Sequence, residues 1–169
     1  MPGKVADDLK TKSDAAWTNL TRQLQGMEPN LERSDAPGQW TAREVLSHLL
    51  FQPGWDSNAT LKSFAAQNMP LIEIEPGKPY LTDERKRMSL KQLVDALDEQ
   101  RRKVFAVVNS LSDADLQNRK ARIPLFKQFM GTDEIAIPVY VGAMYENHWG
   151  DHTGQLAKIR KAAGLPEAK

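Results

Sequence analysis

The sequence predicts an all-α fold, an up-down-down-up four-helix bundle, from three observations. Apolar residues recur at helical spacing through four segments, separated by clusters of Pro, Gly, Asn and Asp. A length of 169 residues suits one hydrophobic core, so residues 1–169 are read as a single domain. The link between the second and third helices is long enough to cross a bundle lengthwise, which parallel neighbours would require.

The first helix is expected over about Val5 to Met27, where Leu9, Ala16, Leu20 and Leu24 fall near one face with Trp17 beside them. Gly26 and Glu28-Pro29-Asn30 end it, and Asp35-Ala36-Pro37-Gly38 reads as a turn. Thr41 and Glu44 then have capping-box spacing: the hydroxyl reaches a first-turn amide and the carboxylate reaches back. Trp40 stands where a hydrophobic staple would. The second helix carries Val45, Leu46, His48, Leu49 and Leu50 and is expected to run to about Gln67, kinked at Pro53.

From Asn68 to Met88, Pro70, Pro76, Gly77 and Pro79 exclude a helix, while Leu71–Glu75 reads as a short strand or as extended chain. Ser89 and Gln92 form a second capping-box candidate, opening a helix with Leu90, Leu93, Val94, Leu97, Val104, Val107 and Val108 on its stripe. Ser112 caps one short turn, and Asn118 to Thr132 is expected to be irregular. The last helix starts between Asp133 and Pro138, since proline suits a first turn, and runs to about Ala163 before Gly164-Leu165-Pro166.

Lys and Arg number 23 against 22 Asp and Glu, a net charge of +1, which argues against a nucleic-acid-binding role. No run of about 18 apolar residues is present, so no membrane span is expected. The first residues lack a signal-peptide core, which points to a cytoplasmic location. The absence of cysteine excludes disulfides, a thiolate nucleophile and thiolate-ligated metals. Any metal must be held by His, Asp or Glu, and there are three histidines.

His148 and His152 are four residues apart, so on a helix they stack on one face and can converge on one ion. Val141, Tyr145, His148, His152, Gln155 and Ile159 step by three or four residues, an inward seam of a bundle helix. His48 lies beside the inward face of the second helix, where it can supply a third imidazole. Three protein ligands leave coordination positions open for water or a small-molecule substrate, and nitrogen donors suit zinc, nickel, iron or manganese. A histidine pair at this spacing also occurs on plain solvated helices.

The stretch Trp40-Thr41-Ala42-Arg43-Glu44-Val45-Leu46-Ser47-His48-Leu49 resembles the second-helix motif of the DinB/YfiT-like superfamily. His148-Trp149-Gly150-Asp151-His152-Thr153-Gly154-Gln155-Leu156 resembles that family's last-helix motif. The resemblance implies the same bundle, a divalent metal (zinc or nickel first, iron or manganese next) on His48, His148 and His152, and a homodimer in many members. It further implies a thiol-dependent transferase or a hydrolase, with a low-molecular-weight thiol such as bacillithiol or mycothiol as a cosubstrate. The chain lacks the second domain of the maleylpyruvate isomerase branch, which counts against that activity. Gly150 and Pro53-Gly54 are departures that bear on pocket shape.

Gln155 and Tyr145 are the candidates for orienting substrate, both alternatively being seam packing, a role that suits Tyr145 better. Asp151 is placed to hold a ligand imidazole or else to face solvent. Phe51, Trp55 and Trp149 are candidates for pocket walls or core. Arg85-Lys86-Arg87 and Arg101-Arg102 read as solvated surface, offset by Glu84 and Glu99. The competing reading is a non-catalytic metal- or small-molecule-binding bundle with a stress-related role.

Overall fold

The computed structural model describes residues 2–169. Helix α1, Lys4–Gln23, packs along α9, Trp149–Ala162, and also touches α5, Leu90–Ser110. Helix α2, Ala42–Leu49, lies against α5 and α9, and α3, Ser57–Ser63, lies against α5. The core between these helices holds Leu20, Met27, Leu46, Leu49, Leu93, Leu97, Leu156 and Trp149, all essentially solvent-free. Among the described residues no helix is long and apolar enough to cross a membrane.

The expected caps form. Thr41 Oγ1 accepts from the Glu44 amide and Glu44 returns to the Thr41 amide; Ser89 and Gln92 do the same for α5. Ser112 caps α6, Asp113–Asn118. Each cap satisfies amides that the first helical turn leaves without partners. Pro138 sits in the first turn of α8, Ile137–Gly142, which continues through a π turn, Ala143–His148, into α9.

The second helix is shorter than expected. Pro53 ends it rather than kinking it: α2 stops at Leu49, Phe51 adopts φ 61°, and Pro53-Gly54 turns the chain into α3 under an Asp56 cap. Proline disfavours helical geometry at Gln52 and its ring collides with the carbonyl four residues back. After α3 the chain is tied down by pairing. Ala65 and Lys120 exchange amide–carbonyl bonds of 3.0 Å, and Leu71 bridges Arg122.

Leu71–Glu75 is therefore extended chain held at one point, not a strand of its own. Lys120–Arg122 (β1), in the segment expected to be irregular, pairs antiparallel with Glu134–Ala136 (β2) in a small hairpin, just before the last helical run begins at Ile137. Its connection contains α7, Lys127–Met130. The long link, expected to hold no helix, forms a short one past its last proline, Pro79: α4, Asp83–Arg87, capped by Thr82. Arg85 is not solvated surface. Its Nη1 donates to the carbonyls of Ser47, Phe51 and Tyr80, at 3.1, 2.7 and 3.0 Å. Arg101 is likewise half-buried, donating to Asp14 and Asp98 and lying 5.0 Å above the Trp17 ring. Asp98, not Glu99, offsets Arg101 and Arg102; Glu99 pairs with Lys103.

Candidate metal centre

His48 leaves α2 on the side facing α9 and is 7% exposed. His148 closes the π turn, and His152 follows one turn into α9. The three rings form a triangle with centroid separations of 4.9, 4.7 and 4.7 Å. One nitrogen from each lies within 4.8 Å of the other two. Residues a hundred positions apart in sequence thus meet at one point.

Two of the three outer ring nitrogens are bonded to protein oxygen. His48 Nδ1 donates to the Lys78 carbonyl at 2.6 Å, and His152 Nδ1 donates to Gln155 Oε1 at 2.8 Å. Both bonds hold the proton on Nδ1 and leave the Nε2 lone pair turned inward, the tautomer a metal ligand requires. His48 Nε2 lies 2.8 Å from His148 Nε2. Two lone pairs repel at that distance unless a proton or a cation is shared, so this donor set fits a divalent ion.

Electrostatics favour the neutral rings that ligation needs. Burial pushes His148 down to about 3, and the neighbouring His152 and His48 push in the same direction. Burial also lowers His48; the Lys78 carbonyl partly offsets this, and His152 adds to it. Trp40 forms a lid over two rings, 4.9 Å from His48 and stacked 6.3 Å from His152. Phe51 stacks on His148 at 6.0 Å.

A cavity of about 550 Å³ opens onto the three rings. One wall is the helical run from Tyr140 to His152. The others are the strap Ile74–Tyr80 and the hairpin connection with Phe126, Phe129 and Met130. Phe51 and Tyr80, both lining this cavity, have positive φ of 61° and 51°. Neither residue type takes that conformation readily, and Arg85 holds both carbonyls.

The seam expected for the last helix divides in two. Val141, Tyr145 and Ile159 enter the core, whereas His148 and His152 face the cavity. The π turn widens the helix there and shifts the faces relative to a regular α-helix. Tyr145 is consequently core. It packs edge-on against Trp149 at 4.8 Å, its hydroxyl has no partner among the described residues, and burial pushes its phenol up, out of reach of proton transfer near neutrality. Trp149 is fully buried, and Trp55 sits on Phe51 beside a separate cavity. Of the three candidate wall aromatics only Phe51 lines the site. Gln155 orients His152, and Asp151 is an exposed side chain lining the cavity, with no bond to a ligand imidazole.

Sequence reasoning missed the strap and the hairpin wall. The signal available was Phe129-Met130, two large apolar residues before Gly131 in a segment without helical period. In the structure Phe129 is 71% exposed at the cavity.

The family model described as the DinB superfamily matches residues 12–156. Three solved structures share the fold. YfiT from Bacillus subtilis, described as a probable metal-dependent hydrolase with an unusual four-helix bundle topology, has a TM-score of 0.67 at 18% identity, covering 95% of this chain and 89% of its own. An uncharacterised protein from Escherichia coli UTI89 has a TM-score of 0.61 at 16% identity, covering 98% of both chains. A Streptococcus pneumoniae protein has a TM-score of 0.60 at 19% identity, covering 98% of this chain and 93% of its own. No curated protein matches the sequence.

Proposed function

We propose that this chain, which belongs to the DinB superfamily, is a metal-dependent hydrolase whose divalent ion is held by His48, His148 and His152. The observation that carries the reading is the arrangement of nitrogens. Three imidazoles converge, two with their outer nitrogen bonded to protein oxygen, at one side of a cavity large enough for a small molecule. All-nitrogen ligation suits zinc or nickel, with iron or manganese also compatible. The description of the Bacillus subtilis relative as a probable metal-dependent hydrolase supports hydrolysis over group transfer.

A divalent ion bound there supplies Lewis acidity, which polarises a carbonyl and acidifies water. The protein's own residues do the rest. Trp40 and Phe51 cover the rings and exclude bulk water from two sides. Asn147 and Asp151, one turn apart in the cavity lining, present an amide and a carboxylate to a substrate. Glu75 is engaged by the Lys78 ammonium, so Asp151 is the carboxylate available to accept a proton from water. A thiol cosubstrate is not required on this route.

Metal analysis of untagged protein tests the reading. One divalent ion per chain is expected, lost in His48→Ala and on chelation, with a fall in melting temperature. Protein that carries no divalent ion and melts identically with chelator would overturn it.

A further inference from the structure

The cavity walls are apolar where a substrate's body would lie. Phe51, Ile74, Phe126, Phe129, Tyr140 and Met144 line the cavity beside the three histidines, and most of its lining surface is apolar. No Lys or Arg is among the lining residues, and the two carboxylates there are Glu75 and Asp151. Glu75 has its ion pair with Lys78, whereas no ion pair to Asp151 is formed among the described residues. Phe129, 71% exposed, and Met130, 45% exposed, leave apolar surface open to water at the same place.

We propose that the substrate is a lipophilic molecule, with an aromatic or branched aliphatic body and a single polar head directed at the three histidines. Beyond that head it carries no negative charge. Binding covers Phe129 and Met130 and removes apolar area from water, which is the driving force such walls offer. A second anionic group would be desolvated against hydrocarbon with no cation to meet it and with Asp151 nearby. A polyhydroxylated or multiply anionic molecule finds too few polar partners here. The head-group part rests on the metal-centre reading above; the body part does not.

Calorimetric titration of the full chain, metal-loaded and chelated, with three naphthalene compounds tests this. 2-Naphthylmethanol is expected to bind both forms, with a negative heat-capacity change. 2-Naphthoate is expected to gain about tenfold on metal loading, and naphthalene-2,6-dicarboxylate to bind about tenfold more weakly than the monocarboxylate in either form. Phe129→Ser, at an exposed position that does not threaten folding, should weaken naphthylmethanol about fivefold. Equal binding of mono- and dicarboxylate, or naphthylmethanol binding indifferent to Phe129→Ser, would overturn the proposal. Failure of the metal-centre reading appears separately, as loss of the metal-dependent gain for naphthoate while naphthylmethanol still binds.

Discussion

His48 donates its Nδ1 proton to the carbonyl of Lys78 at 2.6 Å, which couples the α2 histidine to a strap thirty residues further along the chain. That strap has little secondary structure of its own. Arg85 steadies it by binding the carbonyls of Tyr80 and Phe51 together, two residues with positive φ. Arg85→Met should therefore loosen the oxygen that orients His48. An affinity loss of about tenfold for zinc is expected, read by competition with a chromophoric chelator, with the helical circular dichroism unchanged. Undiminished affinity would mean the strap holds its own shape.

Gln155 performs for His152 what Lys78 performs for His48. Gln155→Leu removes the acceptor and frees the ring to change tautomer, so zinc affinity should fall by about tenfold. Gln155→Glu keeps an acceptor oxygen at the same reach and should retain affinity. The contrast between the two variants separates an orienting bond from simple packing.

What was legible in the sequence was local. The caps at Thr41, Ser89 and Ser112 form because each involves residues three apart, and the histidine pair follows from helical repeat. What stayed hidden depends on distant partners. Leu71–Glu75 lies where it does because Ala65 pairs with Lys120 and Ile72 donates to the Arg122 carbonyl. Arg85 reads as one member of a charged run, yet three carbonyls from two segments bind it. Tyr145 as seam packing follows from the helical repeat, whereas the π turn that separates its face from that of His148, which lines the cavity, is an offset no regular helical wheel contains.

Asp151 lines the cavity between His148 and His152 on the helix and makes no ion pair among the described residues. As the proton acceptor in hydrolysis, its replacement should strike turnover and spare the metal. Asp151→Asn is expected to lower kcat for a naphthyl ester about a hundredfold, with metal content per chain unchanged. Unaltered kcat would remove Asp151 from the reaction.

Protonation should act on the same centre with a definite sign. Burial holds His148 down at about 3 and lowers His48, whereas both imidazoles take up protons near 6.5 once the chain unfolds. Between those limits the unfolded state binds more protons, so stability rises with pH across the window. The metal-free protein should thus keep its full contribution from these residues above about pH 6.5 and lose it progressively as pH falls toward 3. Urea midpoints measured at several pH values on chelated protein check this. Wild type should lose stability more steeply below pH 6.5 than His148→Phe, which has no proton to take up; identical slopes would show that His148 titrates alike in the folded and unfolded chains.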